Sequence, residues 1–259
     1  MKLVLSALQY NPILGQPSKN ITRVDKLLDT YVRHPRGLPW LLVLPELSFT
    51  GYNFQSREHI FPFLEPMDGP SVQWARQRAA SLGCHIAVGF PEIHNQAIYN
   101  TVSLVGPDAK ILGYHRKFHL YSQDKIWGCE QSKWGWGSIG PISTLGNATV
   151  QLGICMDLNP YEFTAPWDAY EFANAAIGNG ANIIAASCAW LDEPDSQISL
   201  PDYWRLRLPQ GIPAVISNRI GCESGTKYAG MSSILSTEGQ TSLDKQEGIL
   251  SKVIDVCIS

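Results

Sequence analysis

The chain has 259 residues, 44% of them hydrophobic and 17% charged, with a formal net charge of −3. That is enough chain for one large α/β domain, and no Lys/Arg block supplies the concentrated basic face that phosphate binding needs, which argues against nucleic acid as the main partner. No apolar run reaches the ~18 residues that span a bilayer, and six scattered cysteines without a secretion signal suit reduced thiols in a cytoplasmic protein better than a disulfide framework.

In chain order, a first buried strand is predicted over Leu3 to Gln9, followed by an amphipathic helix over Ser18 to His34, where Ile21, Val24, Leu27, Leu28, Tyr31 and Val32 recur at helical spacing. Trp40 to Pro45 is apolar without alternation, the pattern of a strand buried on both faces, and it ends in Glu46. A second helix begins near Gly69-Pro70-Ser71 and closes at Gly83, and the strand His85 to Phe90 follows. Asn100 to Val105 and Ile111 to Tyr114 flank a five-residue turn, and the second of these strands runs into His115-Arg116-Lys117-Phe118-His119.

Val150, Leu152 and Ile154 alternate with Gln151 and Gly153, so Cys155 is predicted at a strand end, with Pro160 blocking simple continuation. Asp168-Ala169-Tyr170-Glu171 has the form of a capping box opening a helix. Strands are predicted over Asn182 to Ala189, Pro213 to Asn218, Ala229 to Ser236 and Ile249 to Val256. Between 192 and 212 the prolines at 194, 201 and 209 leave an irregular connection with only a short helix around Tyr203 to Leu208. Strands with interspersed helices indicate a layered α/β architecture in a single domain over 1–259.

Several motifs fail on context. Gly135-Trp136-Gly137-Ser138-Ile139-Gly140 matches the dinucleotide pattern but follows polar residues and precedes Pro141, so it reads as a glycine-rich surface loop. The sequence has no P-loop, G-x-S-x-G, H-E-x-x-H or C-x-x-C, so neither a bound metal nor another cofactor is expected. The six histidines, His34, His59, His85, His94, His115 and His119, leave a cysteine and histidine pair open.

Three groups survive, each just past an apolar strand. Cys155 alone suits a small buried hydrophobe. Glu46, joined to so apolar a strand, is expected to be desolvated and its pKa raised toward neutrality, which suits a proton carrier. Lys117 alone suits a rim charge with a snorkelling stem. Together they sit where sites are built in α/β sheets.

Leu44-Pro45-Glu46 with Thr50-Gly51-Tyr52, Arg116-Lys117-Phe118-His119-Leu120 and Gly153-Ile154-Cys155-Met156-Asp157 resemble, in order and spacing, the Glu, Lys and Cys segments of the nitrilase (carbon-nitrogen hydrolase) superfamily. The resemblance implies a four-layer αββα sandwich. It gives Glu46 the role of general base, Lys117 that of oxyanion stabiliser together with the Met156 backbone N–H, and Cys155 that of nucleophile. It points to Glu130 as a second glutamate and puts Tyr52, Asp157 and Trp190 at the substrate.

The stretches Ile154 to Tyr161, Ala165-Pro166-Trp167, Glu171-Phe172, Ala189-Trp190-Leu191 and Tyr203-Trp204 are similar to the fungal branch of that superfamily that deamidates N-terminal Asn and Gln. From this likeness follow peptide or protein substrates beginning with Asn or Gln, a cysteine thioester, and a pocket carboxylate for the α-ammonium group, for which Asp157, Asp168 and Glu171 are candidates. Lys117 beside Cys155 is expected to favour the thiolate. A small-molecule amidase or carbamoylase and an inactive binding protein of the same fold are the alternatives, and a homodimer stays open because the late region is shortened.

Overall fold

A computed structural model describes residues 1–31, 37–194 and 196–258. The first half of the chain supplies β1 (Lys2–Gln9), α1 (Pro17–Thr30), β2 (Trp40–Val43), α2 (Arg57–Ile60), α3 (Pro70–Leu82), β3 (His85–His94), β4 (Ala97–Val105) and β5 (Ile111–Arg116). Next come α4 (Ser122–Ile126), β6 (Ser138–Ile142), β7 (Ala148–Ile154), α5 (Glu171–Gly178), β8 (Ile183–Cys188) and α6 (Leu200–Arg207). The chain closes with β9 (Ala214–Asn218), β10 (Ile220–Glu223), β11 (Thr226–Ala229), β12 (Ser233–Ser236), β13 (Gly239–Ser242) and β14 (Gly248–Asp255).

Two six-stranded sheets form, in the orders β14-β1-β2-β3-β4-β5 and β13-β12-β9-β8-β7-β6, with β10 and β11 paired separately. Leu3, Leu5, Ala7, Leu41 and Val43 of the first sheet meet Val150, Leu152, Ile154, Ile183, Ala185 and Val215 of the second in one buried core. The alternate residues point outward: Val4, Leu8, Leu42 and Ile86 pack under Val24 and Leu28 of α1 and Val72, Ala75 and Ala79 of α3. On the far side, Ile184, Ala186 and Ile216 pack under Phe172 and Ala176 of α5 and Trp204 of α6. Both faces of each sheet are therefore covered, giving the αββα layering and explaining why β2, β8 and β9 read as continuous apolar runs.

The element boundaries differ from the sequence reading in four instructive places. Helix α1 stops at Thr30, with Tyr31 already extended, whereas the predicted end over Val32 to His34 lies outside the described residues. Helix α6 starts at Leu200 because Pro201 occupies its first turn, where a missing N–H costs nothing, and the Ser199 hydroxyl caps it by accepting from the Asp202 N–H. The glycine-rich stretch ends in β6, which pairs with β7 from Ser138 to Ile142 despite a register shift. Helix α5 has Tyr170 at its cap position with no side-chain hydrogen bond, so the predicted Asp168 box does not form. No helix among the described residues is long and apolar enough to cross a membrane.

Candidate active site

Three strand ends bring the chemistry together. Glu46 follows β2 on a turn whose Leu47 takes a φ of 44° and whose Ser48 hydroxyl donates to the Pro45 carbonyl at 2.6 Å. The turn lies against Gly89 of β3, where a Cβ would come within 2.9 Å of the Leu47 nitrogen, so glycine is what lets the glutamate turn approach the sheet. Across the sandwich, the Glu46 N–H donates to the Cys188 carbonyl at 3.3 Å and the Ala189 N–H returns a bond to Glu46 Oε2 at 2.9 Å. One side chain thus ties the ends of both sheets.

Lys117 follows β5 and is buried, as is Glu46. Its Nζ lies 2.7 Å from Glu46 Oε1 and 2.7 Å from Asp124 Oδ2. Asn100 of β4 donates from Nδ2 to Glu46 Oε1 at 2.6 Å and to Asp124 Oδ1 at 3.2 Å, and the Tyr52 hydroxyl donates to Asp124 Oδ1 at 3.1 Å. Burial opposes the Lys117 charge, but Asp124 and then Glu46 overrule it and hold the ammonium well above its ordinary range. Burial raises the Glu46 carboxyl, an effect that Lys117 opposes and Asp124 reinforces. This is the poise of a proton carrier.

Cys155 opens a one-turn 3-10 helix, Cys155–Leu158, at the end of β7. Its φ of 39° is a conformation that costs a non-glycine residue about 1–3 kcal/mol. Just before it, Gly153 allows the Phe172 ring to approach, since a Cβ there would meet the ring at 2.8 Å. The parallel register of β7 and β8 pairs Ile154 with Ser187, which sets Cys155 beside Cys188. The Cys188 thiol, burial and the nearby Glu46 charge all push the Cys155 thiol up, against a smaller opposing pull from Lys117. A thiol raised in this way calls for a base to take its proton as the sulfur attacks. Met156 is the second residue of the turn, where backbone N–H groups lack intrahelical partners.

Of the other expected site residues, the structure draws some in and leaves others out. Glu130 is exposed, and the carboxylate beside Lys117 is Asp124, from the five-residue α4. Asp157 is fully buried, and its carboxylate accepts from His115 Nε2 at 2.8 Å and from the backbone N–H groups of Phe118, His119 and Ile154 at 2.9–3.0 Å. Burial works against its charge, yet His115 and those donors keep it below the ordinary carboxylate range. Asp157 therefore clamps the residues after Lys117 to the residue before Cys155 and has no capacity left for substrate.

Tyr52 and Trp190 line a cavity of ≈ 560 Å³ together with Cys155, Met156, Ala189 and Tyr203. Asp168 and Glu171 are not among its lining residues. Sequence reasoning missed Asp124, Asn100 and the Ala189 N–H. Among the described residues no group of three or more His, Cys, Asp or Glu side chains is arranged to hold a metal ion.

The chain resembles proteins of known activity. Residues 5–164 match the carbon-nitrogen hydrolase family model. The chain is 33% identical to the protein N-terminal amidase of Schizosaccharomyces pombe, over 88% of each chain. It is 30% identical to the protein N-terminal amidase of Saccharomyces cerevisiae over 74% of its own length, spanning 46% of that longer protein. A crystal structure of an N-terminal amidase with an Asn-Glu peptide superposes with a TM-score of 0.82 at 20% identity, covering 98% of this chain and 97% of the other. The matched family model and the relatives at this identity and coverage establish that the chain belongs to the carbon-nitrogen hydrolase family.

Proposed function

We propose that the chain is an amidohydrolase that converts N-terminal Asn and Gln of peptides or proteins to Asp and Glu, releasing ammonia through a thioester on Cys155. The observation that carries the reading is the buried Glu46–Lys117 pair at 2.7 Å, whose charges both bear on Cys155, a residue that lines the cavity. The identity with the Schizosaccharomyces pombe amidase over most of both chains supports the substrate class.

In the first half-reaction Glu46 takes the thiol proton while the Cys155 sulfur bonds to the carboxamide carbon. The oxyanion is met by the Lys117 ammonium and the Met156 N–H, and loss of one such donor costs on the order of 100- to 1000-fold in rate. The C–N bond then breaks, Glu46 returns the proton to the departing ammonia, and a thioester remains. In the second half-reaction Glu46 takes a proton from water, the hydroxide adds to the thioester carbon, and the C–S bond breaks to give the carboxylic acid and the free thiol. Asp124, in the place given to Glu130 by the sequence, holds Lys117 opposite Glu46. All six cysteines are free thiols, which supports a reducing, cytoplasmic site of action.

The test is mass spectrometry of peptides beginning with Asn or Gln, each paired with its α-acetylated form. Conversion of the free-amine peptides to the acids, with the acetylated ones left intact, is the expected result. Equal conversion of both would overturn the N-terminal reading in favour of a general amidase.

A further inference from the structure

Among the described residues, the cavity around Cys155 is lined by one carboxylate without a hydrogen-bond or ion-pair partner. Glu46 and Asp124 are fully buried and committed to Lys117. Asp157 is saturated by His115 and three backbone N–H groups. Asp192 lines the cavity, but both its oxygens lie 2.7 Å from Lys245 Nζ, which neutralises it at the rim. Glu193 also lines the cavity, and among the described residues its carboxylate makes no hydrogen bond or ion pair.

The backbone leading up to Glu193 is held in place. Leu191 bridges Tyr228 of β11, the Asp192 N–H donates to the Lys227 carbonyl at 3.0 Å, and the Ala229 N–H donates to the Trp190 carbonyl at 2.9 Å. The segment after β8 is thereby laid along β11 as far as Asp192, and Glu193 is the next residue. The same cavity is lined by an aromatic wall in which Tyr203 lies between Trp190, at 5.6 Å between ring centroids, and Trp167, at 5.7 Å. The Tyr203 hydroxyl donates to Asn159 Oδ1 at 2.5 Å, and burial pushes its pKa up to about 12, opposed by Arg207 and reinforced to a lesser degree by Glu193. Glu193 and the three rings line the same cavity. An uncompensated carboxylate beside aromatic faces is a site for an organic cation, since both attract an ammonium group; Arg207 already lies over the Trp167 ring, 5.6 Å from its centroid, so among the described residues Trp190 and Tyr203 are the faces of the wall left without a cation.

We infer that Glu193, with the Trp190 and Tyr203 faces, reads the α-ammonium group of the substrate's first residue. This rests on the proposed N-terminal reading. It replaces Asp157, Asp168 and Glu171 as the specificity carboxylate, and it gives Glu193 the work of favouring chains with a free amino terminus.

The experiment compares an Asn-initiated peptide with the same peptide lacking only its α-amino group, on the wild type and on Glu193→Gln and Asp192→Asn. The wild type is expected to favour the amino form. Glu193→Gln is expected to raise KM for it roughly 10- to 100-fold, the weight of a charge-assisted hydrogen bond, with kcat little changed and KM for the des-amino peptide unmoved. Asp192→Asn is expected to keep the preference. Retention of the preference by Glu193→Gln, or its loss in Asp192→Asn alone, overturns the assignment to Glu193. A wild type that accepts both peptides equally overturns the N-terminal reading and this inference with it. Glu193 is exposed, so the variant is expected to fold as the wild type does.

Discussion

Replacing Asp124 by Asn, with Glu130→Gln as its partner experiment, decides which second acid serves the site. Lys117 is buried between two carboxylates, each 2.7 Å from its ammonium. Removing one partner of a buried ion pair costs about 3–5 kcal/mol when the other is left without compensation. Glu46 remains in Asp124→Asn, so the lower end, about 3 kcal/mol, is expected, or a fall of roughly 6–12 °C in Tm for a chain of this size. Glu130 is exposed, and its substitution is expected to stay within about 0.5 kcal/mol.

The catalytic effect separates from the structural one through pH. Asp124 is one of the influences holding the Glu46 carboxyl up, so Asp124→Asn is expected to move the acid limb of kcat/KM to lower pH as well as to reduce kcat. Thermal unfolding and ammonia release across pH measure both. A Glu130→Gln enzyme without activity beside a nearly normal Asp124→Asn enzyme would refute the assignment.

Three further outcomes follow from the same geometry. The acid limb of wild-type kcat/KM is expected above the ordinary carboxyl value of 4.5, because burial raises Glu46 and the base works only when deprotonated, whereas Lys117, held well above 10.5, contributes no loss below that pH; an acid limb at or below 4.5 contradicts this. Cys188→Ala removes the contact that does most to push the Cys155 thiol up, so alkylation of Cys155 by iodoacetamide is expected to reach half its maximal rate at a lower pH, and an unmoved curve contradicts it. Asp157→Asn breaks a buried pair and is expected to cost about 3–5 kcal/mol in denaturant titrations at pH 7. The folded Asp157 titrates below its ordinary 3.8, so its contribution is present above that pH and fades as pH falls through it; a difference from wild type that does not shrink in acid refutes the role of the charge.

Strand ends were the legible part of this sequence. Glu46, Lys117 and Cys155 each follow a run whose period or apolar continuity marks a strand, and a residue at such an end has its environment largely dictated by the sheet. Asp124 and Glu130 lie beyond that reach. Helix α4 has five residues, too few for an apolar stripe, and which of two acids turns inward depends on Tyr52, from the loop after β2, and Asn100 of β4, both distant in sequence. Asp157 misled in the opposite way, since a carboxylate next to a nucleophile reads as chemistry until the four donors converging on it are seen. The upward push of Cys188 on the Cys155 thiol was also hidden, because Cys188 becomes a neighbour only through the parallel register of β7 and β8. Proline was read too strictly at 201, where it starts α6 instead of excluding it.

The most direct measurement is the intact mass of the protein after rapid acid quenching of a reaction with an Asn-initiated peptide. The expected result is a species heavier by the peptide less ammonia, mapped to Cys155, which is absent from Cys155→Ala and absent when the peptide is α-acetylated. Ammonia release by the wild type with no adduct on Cys155, or with the adduct on another residue, would contradict a thioester mechanism built on Glu46, Lys117 and Cys155.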